Sequence, residues 1–220
     1  KIIVLINSAN TLQLDFLKDN IYNVDACLWI GDVGITGINA VADILAGNVN
    51  PSGSLVDTYC YDNYSSPAMA NFTPMIYEGY TEELIPEKAK SYMVYQEGIY
   101  VGYKYYETAS DDGVINYEDV VKYPFGYGLS YTTFEQKMND FSDNGDNVTF
   151  NVTVTNTGDV AGKDVVEVYF TPPYTNGGIE KASVNLIDYA KTGEIAPGES
   201  ETVEFTINKE DMASYDANEI

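Results

Sequence analysis

The sequence predicts two joined folds, α/β plus all-β: an incomplete α/β sandwich with a mostly parallel sheet over residues 1–137, followed by a β-sandwich over 138–220. Three observations carry that expectation. The first 50 residues alternate short continuous apolar runs with stretches of helical spacing. From about Asp140 onward, apolar residues fall at every second position instead. Turn residues then divide that second part into several short segments.

Residues Ile2 to Ile6 are an unbroken aliphatic run, as a strand covered on both faces would be. Leu12 to Leu17 carry apolar residues at helical spacing, and Ala26 to Ile30 read as a second buried strand. Gly37 to Ala46 form an amphipathic helix with Ile38, Val41, Ala42 and Leu45 on one face and Gly47 placed for a left-handed cap. Strand and helix in alternation imply parallel strands joined by right-handed crossovers. In such sheets ligands gather beyond the carboxyl ends of the strands. Those ends are Asn7-Ser8-Ala9-Asn10 and Gly31-Asp32-Val33-Gly34, which makes Asn7, Asn10 and Asp32 candidate pocket residues; the same residue types also make good turns.

The middle of the chain is less regular. Asn50-Pro51-Ser52-Gly53 is a tight turn, and 15 of the 20 tyrosines lie between Tyr59 and Tyr131. A single tyrosine is most often core; a cluster of them suits an interface or a carbohydrate-lined cleft, because the ring stacks on sugar C–H faces while the hydroxyl stays wet. Residues 109–119 read as an exposed acidic excursion. Beyond it, Val148, Phe150, Val152 and Val154 alternate with Thr149, Asn151, Thr153 and Thr155. Val166, Val168 and Phe170 form the next alternation, and Val203, Phe205 and Ile207 another. Short strands between turns describe a sandwich of immunoglobulin or fibronectin type III kind.

Composition excludes several chemistries. The 220 residues include 34 acids and 11 lysines, with neither arginine nor histidine, for a net charge of -23. Such a chain repels phosphate backbones and anionic membrane surfaces, so no nucleic acid partner is expected. Without histidine there is no Ser-His-Asp triad, no Cys-His pair and no imidazole metal ligand; no metal or cofactor is expected. Cys27 and Cys60 read as free thiols. No membrane span is expected, since no apolar run reaches ~18 residues. The chain opens one residue before a core strand, which reads as a piece of a longer polypeptide. Bacterial cytoplasm and cell surface or secreted locations both fit.

Four segments then coincide. Gly37 to Gly53, Tyr95-Gln96-Glu97-Gly98-Ile99-Tyr100-Val101-Gly102-Tyr103-Lys104-Tyr105-Tyr106, Tyr123-Pro124-Phe125-Gly126-Tyr127-Gly128-Leu129-Ser130-Tyr131-Thr132-Thr133-Phe134, and the tail pieces Val154 to Gly158, Gly162 to Val166 and Pro197 to Ser200 resemble, in order and spacing, family 3 glycoside hydrolases. The resemblance covers the C-terminal part of that family's α/β-sandwich domain and the fibronectin III-like domain. Two departures stand out: Thr36 replaces the glutamate of the family's Gly-Gln-Glu-Gly-Gly, and Lys104 replaces its usual arginine, a point charge for a fork. The sandwich should also need one or two strands more than the sequence supplies, leaving an edge open.

The resemblance implies a retaining exo-β-glycosidase, most often a β-glucosidase releasing terminal β-linked glucose from oligosaccharides. Retention needs two carboxylates roughly 5–5.5 Å apart. In the family the nucleophilic aspartate lies on a TIM barrel and the acid/base glutamate on a loop upstream of the strand matching Ile2–Ile6, so no catalytic residue is expected in this chain. The implied partners are a TIM-barrel catalytic domain of the same polypeptide and β-glucoside oligosaccharides; a homodimer is a further possibility. Candidates for the pocket wall are Asn7, Asn10, Asp32, Asp57, Glu97 and Tyr100, with Glu97 expected to be buried. A non-catalytic carbohydrate-binding or adhesion module, or a spacer, would use the same parts. Asn-x-Ser/Thr triplets at Asn63, Asn71, Asn147 and Asn151 are explained by chance.

Overall fold

A computed structural model of the chain describes residues 1–18, 21–79, 81 and 90–216. Tyr80 of the tyrosine-rich stretch, and the last four residues of the expected sandwich, lie outside the described residues.

The α/β part begins with two parallel strands, β1 (Ile2–Ile6) and β2 (Val24–Trp29), with Val4 opposite Cys27 and Ile6 opposite Trp29. Helix α1 (Ile38–Ala46) comes next and ends at Gly47, whose φ of 76° is the left-handed cap the sequence predicts. Strand β3 (Tyr59–Cys60) pairs antiparallel with β6 (Val121–Tyr123), and β4 (Met75–Ile76) with β5 (Ser91–Tyr92). Between them lie α2 (Tyr103–Asp111) and the single turn α3 (Tyr117–Val120). The mostly parallel sheet is therefore not what the described residues form: β1–β2 is parallel, and every other strand pair is antiparallel.

Two local expectations are also corrected. Leu12 to Leu17 make no α-helix; a 3-10 turn spans Asp15–Leu17. The segment is too short to sustain helix by itself, and Leu14 is drawn into a core with Ile6 and Tyr59. The Leu14 carbonyl accepts the Leu17 amide at 3.0 Å and the ammonium of Lys122 at 2.6 Å. Residues 109–119 are no solvated loop: Ala109 is buried, and Ile115, Tyr117 and Val120 pack on a small core of Cys60, Tyr106 and Val121. Asp111, Asp112, Glu118 and Asp119 face water, as does Val114, while Ile115, Tyr117 and Val120 turn inward.

The β-sandwich has a three-stranded antiparallel sheet, ordered β7 (Phe134–Asp143), β8 (Asn147–Asn156) and β11 (Ser200–Asn208), against a pair, β9 (Val165–Phe170) and β10 (Asn185–Lys191). The alternating residues enter as predicted: Val152, Val154, Val166, Phe205 and Ile207 form the core with Ile195. The edge strand β7 is interrupted at Asp140, which adopts a left-handed φ of 54° where the register to β8 shifts. The side chain of Asn151 donates to the Asp140 carboxylate at 2.8 Å there. Cys27 and Cys60 are free thiols, and burial raises the pKa of Cys27. Among the described residues no helix is long and apolar enough to cross a membrane.

Candidate functional site

The carboxyl ends of β1 and β2 are knitted together beyond the strands. The Ile30 amide donates to the Ile6 carbonyl at 2.8 Å, and the Trp29 indole N–H donates to the Ser8 carbonyl at 3.1 Å. Ser8 Oγ donates to the Asn10 carbonyl at 2.7 Å and accepts the Asn10 amide at 3.2 Å. Asp32 accepts the Gly34 amide at 3.3 Å, an Asx turn. Gly31 has φ 57°, and a Cβ there would lie 3.2 Å from the Trp29 ring, so both backbone and space call for glycine. The result is one end of a strand pair presenting Asn7, Asn10 and Asp32, all three exposed.

The other candidates lie elsewhere. Asp57 is exposed just before β3. Burial first, then the charges of Asp57 and Cys27, raise the pKa of Tyr59. Glu97 is half-buried rather than enclosed, and its carbonyl accepts the Tyr100 amide at 2.9 Å in the turn leading to α2. Tyr100 is half-buried too, its pKa raised by burial and then by Glu180, Tyr174 and Asp112. Glu180 and Tyr174 belong to the β9–β10 connection, so this corner faces the sandwich. Asn7, Asn10 and Asp32 thus share one strand end, Asp57 lies close to Tyr59, which packs on Ile6, and Glu97 and Tyr100 share one turn. Two grooves, of about 540 Å³ and about 310 Å³, lie in the β-sandwich and are lined by none of the six. No group of three or more cysteines and carboxylates suited to a metal ion occurs among the described residues.

What the recognised segments build is a seam between the two parts. The side chain of Asn50 donates to the Ala161 carbonyl at 3.0 Å and accepts from Ser130 Oγ at 2.9 Å and the Tyr131 amide at 2.8 Å. Lys191 reaches from β10 to the Ser52 carbonyl at 2.6 Å, and the Tyr131 hydroxyl donates to the Ile44 carbonyl at 2.9 Å. Gly128 is packed so closely on Gly53 that a Cβ would sit 2.5 Å from its carbonyl oxygen. On the other flank, the Tyr103 hydroxyl accepts the Leu186 amide at 2.8 Å while its ring lies 4.8 Å from Phe125 and 6.1 Å from Tyr169. Tyr169 donates to Glu167 at 2.6 Å, and burial together with that bond pushes its pKa well up. Thr108 Oγ1 accepts the Ser183 amide at 3.0 Å.

Sequence reasoning assigns these residues no role. The usable signal is the mixture of Asn, Gly and Tyr at fixed spacing in segments that read neither as helix nor as strand. The geometry can fix the orientation of one part against the other.

The chain aligns with known proteins from end to end. The profile described as "Glycosyl hydrolase family 3 C-terminal domain" matches residues 1–103, and that described as "Fibronectin type III-like domain" matches residues 164–219. It is 34% identical to the beta-glucosidase of Ruminococcus albus over 98% of this chain and 20% of that protein. With beta-glucosidase A of Butyrivibrio fibrisolvens the identity is 38%, over 98% of this chain and 25% of the relative. The chain therefore spans a quarter or less of the length of these curated relatives. In structure it is similar to beta-glucosidase 3B from Thermotoga neapolitana in complex with glucose, with a TM-score of 0.79 and 35% identity over 98% of this chain and 27% of that one. A beta-glucosidase from Paenibacillus barengoltzii gives 0.81 and 35%, over 98% and 21%. The chain belongs to glycosyl hydrolase family 3, as that family's C-terminal domain followed by its fibronectin type III-like domain.

Proposed function

We propose that this chain is the non-barrel part of a retaining exo-β-glycosidase, a β-glucosidase acting on terminal β-linked glucose, whose catalytic carboxylates lie on a TIM barrel and an upstream loop outside these residues. The observation that carries the reading is the end-to-end alignment with beta-glucosidases at 34% and 38% identity. In this reading residues 1–137 are the α/β-sandwich domain, whose sheet is mostly parallel once further strands flank β1 and β2. Residues 138–220 are the fibronectin III-like domain.

The role is positional. The end of the β1–β2 pair, with Asn7, Asn10 and Asp32, forms pocket wall; Asp57, Glu97 and Tyr100 face the barrel or brace the surface that does. The seam through Asn50, Tyr103 and Tyr131 keeps that wall in register. Rigidity matters because a displacement near 1 Å can cost ~100-fold in rate.

The test is hydrolysis of a chromogenic β-glucoside. The 220-residue chain is expected to be inactive, and the longer native polypeptide active. Turnover by the isolated chain that is abolished by Glu97→Gln would overturn the placement of the chemistry. Glucose affinity in the isolated chain, with a native polypeptide that hydrolyses nothing, would favour a carbohydrate-binding module.

A further inference from the structure

Lys122 is a buried cation with no part in the chemistry proposed above. It sits in the middle of β6 with its side chain 7% exposed, and its ammonium lies 5.5 Å from the centre of the Tyr61 ring and 5.8 Å from that of Tyr123. Desolvating an ammonium is costly, and an aliphatic side chain would fill the same space without that cost. The Asp15 carboxylate does not offset it: it lies 3.7 Å away, beyond hydrogen-bond reach, and is 57% exposed. The hydrogen bond of the ammonium goes to the Leu14 carbonyl at 2.6 Å. That carbonyl already accepts the Leu17 amide at 3.0 Å, so it is satisfied without the lysine.

What the bond does is tie one segment down. Residues 11–18 follow the carboxyl end of β1 and are laced to β6 and to the residues after β3. Asn63 Nδ2 donates to the Thr11 carbonyl at 3.2 Å, Gln13 Nε2 donates to the Tyr61 carbonyl at 2.8 Å, and Lys18 Nζ stands 5.1 Å over the Tyr61 ring. Those two amide bonds are neutral; the bond from Lys122 is short, charged and buried, and so the strongest tie of the three. Upstream, the Trp29 indole holds the Ser8 carbonyl, and Ser8 holds Asn10. The exposed Asn10 is thus suspended between two anchors, Trp29 on β2 and Lys122 on β6. Asp32 follows β2, so the first anchor moves with it and the second does not.

We propose that Lys122 is a positioning residue for the sugar pocket: its ammonium, acting through the Leu14 carbonyl, sets where Asn10 stands relative to Asp32. This rests on the reading that the end of the β1–β2 pair is pocket wall. A wall residue that bonds a sugar hydroxyl does so in the bound substrate and in the transition state alike, so displacing it weakens binding and spares the chemical step.

Steady-state kinetics of the native polypeptide on a chromogenic β-glucoside test this. Lys122→Met keeps an unbranched apolar stem and removes the donor. It raises KM by ~10-fold, the worth of about one hydrogen bond, and changes kcat by less than ~2-fold. Lys122→Arg, which keeps a cationic donor, recovers most of that loss. Asn63→Ala, at the other end of the clasp, raises KM in the same direction by a smaller factor, and it carries the test where Lys122→Met does not fold. In Lys122→Met the Leu17 and Lys18 amides, bonded to the Leu14 and Asp15 carbonyls, exchange with solvent ~10-fold faster. A lysine that served stability alone would lower the melting temperature and the fraction of active enzyme and leave KM in place. An unchanged KM, a fall in kcat alone, Lys122→Arg no better than Lys122→Met, or unaltered exchange overturns the proposal. The two failures are told apart by the wild type: a native polypeptide that hydrolyses no β-glucoside refutes the proposed function, while an active one whose KM ignores both Lys122→Met and Asn63→Ala refutes the role of Lys122 alone.

Discussion

The β-sandwich and the α/β part use similar apolar residues to opposite effect. In the sandwich the alternating valines and phenylalanines go inside, down to 0% exposure at Val154. In the α/β part Ile2, Ile3 and Leu5 of β1 stay exposed, as do Ile38 and Leu45 of α1, and Ile35 is 96% exposed. Parallel strands are normally covered on both faces. The difference teaches that one part closes most of its core with its own strands. The other leaves apolar residues of its sheet and helix exposed.

The sharpest break to this comparison is a pair of truncations. Phe205 is buried and stacks on Phe150 with ring centroids 5.2 Å apart. Phe205→Ala should cost about 4 kcal/mol, from lost transfer energy and the cavity left behind. Ile35→Ala should change stability by less than about 0.5 kcal/mol. Urea midpoints at constant slope measure both. A cost above about 1 kcal/mol for Ile35→Ala in the 220-residue chain would mean that the α/β surface is covered after all.

The next effect in size tests whether the sandwich's closure is polar as well as apolar. Asn156 is fully buried with all its side-chain capacity used. Its oxygen accepts from Thr132 Oγ1 at 2.7 Å and the Gly158 amide at 3.1 Å, and its nitrogen donates to the Val160 and Ile195 carbonyls, each at 2.8 Å. Asn156→Ala strands several of these groups away from water, for about 3 kcal/mol. Asn156→Asp should be no better, since a carboxylate cannot donate to the two carbonyls. A loss under about 1 kcal/mol for either would show that water replaces the missing bonds.

Much of this is legible in the residues. The alternation in β8, β9 and β11 names both strand and inward face, because one wet face and one dry face leave a period of two. The helix at Ile38–Ala46 is legible from its spacing and its terminal glycine. Strand β7 is not, because it is an edge strand whose alternation is broken at Asp140, where one irregular residue moves its successors to the other face. The 3-10 turn at Asp15–Leu17 reads as helix, since Leu14 and Leu17 suit either until the tertiary partner of Leu14 is known. Of the candidate site, the grouping of Asn7, Asn10 and Asp32 at one strand end comes from strand order alone. The placing of Tyr100 near Glu180 and Tyr174, and the seam through Asn50, depend on long-range packing that no local pattern records.

The seam sharpens the comparison by asking whether the two parts unfold together. Asn50→Ala removes three bonds to residues on or next to the sandwich. A loss of about 2 kcal/mol is expected. It should show up as separation of the thermal transition into two, with the α/β part melting first, because the partly exposed part loses the support of the closed one. A single transition shifted by the same amount would mean that the remaining contacts, Lys191 to Ser52 and Tyr103 to Leu186 among them, suffice to couple the parts.

The smallest effect lies on the sandwich surface. Asp143 is held by Lys209 Nζ, 2.6 Å from Oδ1 and 2.8 Å from Oδ2, and by the Gly145 amide at 3.0 Å. Those bonds, the Lys209 contact first, lower its pKa below the ordinary aspartate value. A carboxyl whose folded pKa is depressed favours the folded state fully at pH above its unfolded value, about 3.9, and loses that contribution as pH falls through the folded value. Asp143→Asn should therefore leave a pH-stability curve that differs from wild type above about pH 4 and converges with it in more acid solution. The pair is solvent-exposed, so the gap should be small and should narrow further in 1 M salt, where screening acts over roughly 3 Å. A gap that persists at acid pH, or that salt leaves untouched, would assign the effect of Asp143 to the turn it caps through Gly145 rather than to its charge.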